Sequence, residues 1–263
     1  MDAVYDSERI QLTQLCEKLK PIIWVIEITG KTKGQMTKTG ATGFSVHNDG
    51  LVMTCAHTFK GVNLTEINVR RLDEENFKTA KLKDMRLKWD LALLKVDEVI
   101  DCSVGEFADG SIWEGQPLLH IGNPCNFGGS YLIGRACFPC VADVSPPRGN
   151  ETCGRFDSTA MIKTPRYRVM GHVWNSEYFS SHEHSTFPFE KSLTPSVPII
   201  QCNGINARPG CSGGPVFNME GKIVGMLIAG VDDFDIVTHV SALRMYLANH
   251  CQSEDTSKKQ RTC

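Results

Sequence analysis

Three short segments of the chain carry the residue types that acyl transfer by a serine requires. Ser212 lies in the glycine-rich segment GCSGGP, His57 ends the segment TCAH, and Asp90 begins the apolar run DLALLK. A hydroxyl is a poor nucleophile, so it needs a neutral imidazole as base, a carboxylate that orients the imidazole, and amide donors for the oxyanion. The segments therefore predict Ser212 as nucleophile, His57 as general base and Asp90 as orienting residue.

The glycines around Ser212 predict the remaining part of such a site. They permit a tight turn in which the backbone amides of Gly210 and Ser212 both point at a developing oxyanion. Asp90 stands at the head of a hydrophobic strand, so its carboxylate should be at least partly buried. We therefore expect the oxyanion hole at Gly210 and Ser212, and no cofactor is needed for this chemistry.

The elements that must position these residues are mostly short strands. A strand at 43–46, an Asn-Asp-Gly turn at 48–50 and a strand at 51–54 form a predicted hairpin that ends just before His57. The other apolar runs, separated by polar turns, indicate antiparallel strands. They occupy residues 22–28, 66–69, 79–82, 91–96, 117–122, 130–134, 137–141, 199–201, 214–217, 223–228 and 236–240.

Two helices and one irregular region complete the prediction. Helical spacing of apolar residues indicates a short helix at 7–19 and a final helix at 241–251. Residues 143–198 are rich in Pro, Gly, Ser, Asn and His and do not follow the strand pattern. We expect a long insertion there, on the surface of the second half of the chain.

Four motifs together resemble the HtrA/Deg branch of the trypsin-like serine peptidases. They are TCAH at 54–57, DLALLK at 90–95, IGNP at 121–124 and GCSGGPVFN at 210–218, and they stand in the order His, Asp, Ser. The resemblance implies a serine endopeptidase that acts on protein or peptide substrates. It also implies His57, Asp90 and Ser212 as the triad and Gly210 in the oxyanion hole.

The resemblance implies an all-β fold, a trypsin-like double β-barrel of two six-stranded antiparallel barrels. We expect an N-terminal helical segment at 1–21, a first barrel at 22–108 and a second barrel at 109–251. The insertion at about 143–198 falls in the second barrel, and a polar tail follows at 252–263. No PDZ domain is expected after the second barrel, although HtrA proteins usually carry one.

Composition limits the partners and the compartment. The 28 basic and 30 acidic residues nearly cancel, and no long apolar run is present, so neither nucleic acid nor membrane is an expected partner. The first 30 residues do not resemble a secretory leader, and the 11 cysteines are odd in number and irregularly spaced. We therefore expect reduced thiols and an intracellular location, cytoplasmic or nuclear. By analogy with HtrA proteins, a homo-oligomer is also expected, with the helix at 7–19 as a contact.

The substrate pocket can be placed by register from the nucleophile. Ile228, Ala229 and Gly230 should form one wall, and the segment around Asn206 should form another. Neither stretch contains an acidic residue, so a preference for Lys or Arg is disfavoured. A small or medium aliphatic side chain is the expectation.

Other interpretations of these residues remain open. A catalytically silent or gated module could keep the two-barrel cleft to bind peptides or partner proteins. Cys211 could replace serine, as in viral relatives of this fold, but Ser212 rather than Cys211 stands directly before the Gly-Gly pair. A zinc site in the insertion would use its cysteines and histidines, but only one CxxC pair is present, so no metal is expected. Those residues are Cys137, Cys140, Cys153, His182 and His184.

Overall fold

The structure is a computed structural model of the 263-residue chain. It describes residues 2–97, 102–126, 129–139, 198–231 and 234–261. The predicted insertion therefore lies outside the described residues, apart from its last position.

The first barrel follows from short strands joined by tight turns. Between β1 and β2 the chain reverses at Lys33 and Gly34, which both have positive φ, as a two-residue hairpin turn requires. The sheet closes in the order β1-β2-β3-β6-β5-β4, with every neighbouring pair antiparallel. Its strands are β1 (Ile23–Thr32), β2 (Gln35–His47), β3 (Leu51–Thr54), β4 (Asn63–Arg71), β5 (Lys78–Arg86) and β6 (Leu91–Val96).

The second barrel repeats this plan in the second half of the chain. It closes in the order β10-β11-β12-β9-β8-β7, again antiparallel throughout. Its strands are β7 (Pro117–Gly122), β8 (Ser130–Pro139), β9 (Ile199–Asn203), β10 (Pro215–Phe217), β11 (Ile223–Val231) and β12 (Phe234–His239). The segments predicted as separate strands at 130–134 and 137–141 belong to the single strand β8, whose pairing register shifts between Ala136 and Phe138.

Two α-helices flank the barrels. Helix α1 (Asp2–Leu19) and helix α2 (Val240–Arg261) contain the predicted segments 7–19 and 241–251 and extend beyond them. Apolar residues of α1 pack on the hairpin before β11, where Leu15 lies against Gly221. No α-helix among the described residues has the length and apolarity needed to cross a membrane.

Apolar side chains form three cores, one inside each barrel and one between them. Trp24 and Leu94 lie in the first interior, and Val216 and Leu227 lie in the second. The core between the barrels contains Phe44, Met53 and Leu93 from the first barrel and residues such as Phe217, Met226 and Tyr246 from the second half of the chain. Because each fully buried large apolar side chain contributes about 1.5–3 kcal/mol, this shared core fixes one barrel against the other.

The observed architecture confirms the predicted fold class. Among the described residues, strands are the main regular element, and they form two closed six-stranded antiparallel barrels with a helix near each end. The barrels meet where the sequence places His57, Asp90 and Ser212.

Candidate active site

The structure places His57 directly after β3, at the start of a 3₁₀ helix that runs from His57 to Phe59. Its Nδ1 lies 2.7 Å from Asp90 Oδ2, and its backbone amide donates to Asp90 Oδ1 at 2.7 Å. Two hydrogen bonds to one carboxylate fix both the backbone and the ring of His57. Because Nδ1 donates to Asp90, the neutral imidazole carries its proton on Nδ1 and its lone pair on Nε2.

Asp90 is fully buried, and its backbone is left-handed at φ 55°. It ends the short 3₁₀ helix Leu87–Trp89 and precedes β6, which pairs with β3 along Thr54 and Ala92. This pairing explains why residues 33 positions apart meet. A buried carboxylate is costly without partners, and the two hydrogen bonds from His57 supply them.

Ser212 lies on the loop before β10, in the other barrel. The next residue, Gly213, has φ +86°, and a Cβ there would lie 2.2 Å from the Thr42 carbonyl oxygen and 2.9 Å from the Cys55 amide nitrogen. The serine loop therefore packs onto the strand end that leads to His57. Among the described residues, the Ser212 hydroxyl has one hydrogen-bond acceptor, the Ile228 carbonyl at 3.5 Å.

Two backbone amides of the serine loop, those of Gly210 and Ser212, have no acceptor among the described residues. The turn at 208–211 has Pro209 at its second position and Gly210, with φ +96°, at its third, the pattern of a type II turn. The carbonyls of Pro209 and Gly210 accept from the Cys125 amide at 2.8 Å and from Thr42 Oγ1 at 2.6 Å. Within the described part of the chain, the amides of Gly210 and Ser212 donate to no protein atom, so they are free to receive an anionic oxygen.

Thr42 is a positioning residue that sequence reasoning missed. Its amide donates to the Ser212 carbonyl at 3.0 Å, and its hydroxyl donates to Gly210 and accepts from the Asn123 amide at 2.9 Å. These bonds join β2 of the first barrel to the serine loop of the second. No local motif marks Thr42, because its partners lie up to 170 positions away.

The charge balance at His57 involves a third group. Burial lowers the pKa of His57, but the adjacent Cys55 thiol and the Asp90 carboxylate raise it more strongly, so its pKa stands above the usual range. The Cys55 sulfur lies 3.9 Å from Nε2. The imidazole is therefore a stronger base than a free histidine.

The predicted pocket residues lie in two places along β11 and the loop opposite it. The Ile228 carbonyl faces the serine hydroxyl, while Gly230, two residues further along β11, is exposed and faces Ala207. Asn206 is also exposed, and its amide donates to the buried carboxylate of Asp235 on β12. Sequence reasoning missed Asp235, because it considered the stretches next to Ser212 and not the strand that pairs with Gly230.

The histidine and cysteine groups that suggested a metal are mostly beyond the part of the chain that the structure describes. Cys137 lies on β8, whereas Cys140, Cys153, His182 and His184 fall outside the described residues. Among the described residues, no cluster of three or more potential metal ligands occurs. The expectation of no metal therefore stays a prediction.

Comparison with known proteins identifies the family. The sequence model of the trypsin-like peptidase domain matches residues 41–226, which include His57, Asp90 and Ser212. This span is more than half of the chain, so the chain belongs to the trypsin-like peptidase family.

Curated relatives place it near the HtrA/Deg proteins, as its motifs suggested. It is 29% identical over 194 residues to a probable periplasmic serine endoprotease DegP-like of Hahella chejuensis, which covers 73% of this chain and 30% of the relative. It is 24% identical over 260 residues to the serine protease HTRA1B of Danio rerio, covering 95% of this chain and 43% of the relative. The chain thus spans less than half the length of these relatives.

A solved structure supports the fold independently. The Rv3671c protease of M. tuberculosis in its active form superposes with a TM-score of 0.61 at 16% identity, covering 89% of this chain and 82% of that one. At this identity the likeness concerns the fold.

The expected intracellular location, cytoplasmic or nuclear, is wrong. Relatives from Hahella chejuensis, a Marinomonas strain and Pseudomonas savastanoi are named periplasmic endoproteases. The expectation depended partly on unpaired cysteines, and the described cysteines are indeed free. However, Cys202 and Cys211 are buried in the core of the second barrel and behave as small apolar residues, so they do not report a redox compartment.

Proposed function

We propose that the protein is a serine endopeptidase that hydrolyses peptide bonds through an acyl-enzyme. The observation that carries this proposal is the His57–Asp90 pair, joined by two 2.7 Å hydrogen bonds beside a serine loop with two free amides. The names of the curated relatives, serine protease and serine endoprotease, support it.

The site residues divide the reaction between them. Ser212 Oγ attacks the substrate carbonyl as its proton passes to His57 Nε2, and Asp90 stabilises the imidazolium that forms. The Gly210 and Ser212 amides receive the developing oxyanion. His57 then returns the proton to the leaving amine, and a water activated by the same base releases the acyl group from Ser212.

The observed orientation of Ser212 is compatible with this mechanism. Its hydroxyl faces the Ile228 carbonyl rather than His57. A serine hydroxyl changes rotamer readily, and catalytic hydrogen bonds in the absence of substrate are often long or misaligned. Binding of a substrate carbonyl against the free amides would favour the rotamer that faces Nε2.

Labelling by a fluorophosphonate tests the proposal, because this probe needs an activated serine. Intact-mass spectrometry should show one adduct on the wild-type protein and none on Ser212→Ala or His57→Ala. The variant Ser111→Ala, at an exposed serine, is the matched control and should keep the adduct.

Either of two results would contradict the proposed peptidase activity. An absence of labelling on a folded wild-type protein would favour the catalytically silent module that binds peptides or partner proteins. Labelling that survives Ser212→Ala would place the reactive group elsewhere. Homo-oligomer formation stays a separate prediction, which sedimentation of the full chain would test.

A further inference from the structure

A thiol lies against the ring of the proposed base. Cys55 Sγ lies 3.9 Å from His57 Nε2, the ring atom that must take the Ser212 proton. Cys55 is fully buried in the core between the barrels, so water does not solvate its sulfur. Within the part of the chain that the structure describes, Nε2 has no other hydrogen-bond partner. The sulfur and the serine hydroxyl therefore compete for one ring nitrogen.

The other contacts of the sulfur limit how it can bond to Nε2. Its second side-chain partner is Thr58 Oγ1, also at 3.9 Å. The Thr58 hydroxyl donates its proton to the Cys55 carbonyl at 3.1 Å, so toward the sulfur it can only accept. The lone pairs of the sulfur therefore have one donor among the described residues, a protonated Nε2. This contact stabilises the imidazolium form of His57.

The serine hydroxyl is directed elsewhere in the same structure. Ser212 Oγ donates to the Ile228 carbonyl at 3.5 Å, on the second barrel. The next residue, Gly213, packs on the backbone of Cys55, since a Cβ there would lie 2.9 Å from the Cys55 amide nitrogen. The serine loop therefore touches the cysteine that contacts the ring. Nε2 faces the sulfur and the hydroxyl faces a carbonyl, so the nucleophile and its base are not joined.

The charge balance agrees with this arrangement. Burial lowers the pKa of His57, and the two titratable side chains that act on the ring, Cys55 and Asp90, raise it above the usual range. Asp90 contacts Nδ1, so it fixes the tautomer and leaves Nε2 to the sulfur. A His57 that is protonated at neutral pH cannot accept a proton from a serine.

We infer that Cys55 is a positioning residue that holds His57 Nε2 against its sulfur and thereby restrains the attack of Ser212. This role rests on the proposed endopeptidase function. The contact of Nε2–H with the sulfur must break, and the proton must leave the ring, before the ring can accept the Ser212 proton. Cys55 therefore lowers the activity at neutral pH, in contrast to Asp90, which the reaction requires. Sequence reasoning considered Cys211 and gave Cys55 no role.

Removal of the thiol tests the inference. In Cys55→Ala the fluorophosphonate labelling rate at pH 7 should rise at least about threefold, and the acid limb of its pH profile should move to lower pH by at least about half a unit, because one pKa unit changes the neutral fraction of His57 about tenfold. Cys55→Ser nearly keeps the volume of the side chain and should act in the same direction, because a serine hydroxyl stays uncharged. Both variants are compared, so the test holds if one of them misfolds.

Cys102→Ala is the matched control. Cys102 is also buried, and its thiol donates to the His47 carbonyl at 3.3 Å, beside the turn that precedes β3, whereas His57 follows β3. We expect its labelling rate and pH profile to equal those of the wild type. An unchanged or slower rate in the Cys55 variants, or an equal gain in Cys102→Ala, would overturn the inference.

A direct measurement on His57 separates this inference from the proposed function. The ring nitrogens are titrated by NMR in Ser212→Ala with and without Cys55→Ala, and the His57 signals are those absent from His57→Ala. We expect the pKa of His57 to fall by at least about half a unit when the thiol is removed, because the sulfur no longer accepts from Nε2–H. A fall in this pKa without fluorophosphonate labelling of the wild type would refute the peptidase and keep the role of Cys55. Labelling without a fall would keep the peptidase and refute that role.

Discussion

His120 should make the protein unstable in mild acid. It is fully buried on β7, its Nδ1 donates to the Pro215 carbonyl at 3.1 Å, and its Nε2 has no partner among the described residues. Gly122 and Gly214 pack directly on the ring, since a Cβ built on them would lie 2.6 Å from its Nε2 and 2.5 Å from its Cε1. Burial lowers the pKa of His120 from 6.5 to about 4.

The direction in which pH changes the stability follows from proton uptake. Between pH 6.5 and 4 the unfolded chain binds a proton at this residue and the folded chain does not, so acid favours unfolding. The contribution of neutral His120 to the free energy of unfolding is fully present above the pKa of His120 in the unfolded chain. It is lost as the pH falls toward the pKa of His120 in the folded protein. For these two pKa values the loss between pH 7 and pH 4.5 is about 2 to 3 kcal/mol.

Replacing the residue measures this loss directly. The variant His120→Gln keeps an amide that can donate to Pro215 but cannot titrate. Free energies of unfolding in urea are compared at pH 7 and pH 4.5, with fluorescence and circular dichroism required to give coincident transitions. Packing losses occur at both pH values and cancel, so the wild type should lose about 2 to 3 kcal/mol more than the variant. Equal pH dependence of the two proteins would refute the reasoning.

Three further predictions concern the serine loop and its base. Thr42→Val should fold but label with fluorophosphonate at least about tenfold more slowly, because the Gly210 carbonyl loses its buried donor; an unchanged labelling rate would show that the bond does not position the loop. Gly213→Ala should lower the Tm far more than Gly115→Ala, since both glycines have positive φ but only Gly213 has a backbone oxygen within 2.2 Å of the new Cβ; similar Tm losses would contradict this. The labelling rate should fall with acid and keep rising above neutral pH, because His57 must be neutral and its pKa is raised; a plateau reached below pH 6.5 would contradict it.

The barrels and the three candidate site residues could be predicted from the sequence for different physical reasons. Alternation and turn residues are local, so the short strands and the hairpin before His57 could be predicted. The residues His57, Asp90 and Ser212 lie in motifs with glycines and apolar runs that few other sites require. Their geometry could not be predicted, because it depends on the pairing of β3 with β6 and on contacts between barrels.

The residues that sequence reasoning missed have long-range partners. Thr42 meets Gly210 across 168 positions, and Asp235 meets Asn206 across 29. His120 looked like an ordinary strand residue, and only the glycines packed on its ring reveal its isolation. Helix lengths were underestimated for a simpler reason, since the polar ends of both helices lack the apolar spacing that marks a packed face.

The proposed triad is divided between the barrels, with His57 and Asp90 on the first and Ser212 on the second. The predicted pocket residues Ile228, Ala229 and Gly230 lie on β11 of the second barrel, whereas the proposed base, His57, lies on the first. If these proposed roles hold, base strength and substrate choice are set by separate halves of the chain. Exchange of β11 and β12 with those of another family member should transplant its substrate preference while leaving the basicity of His57 unchanged.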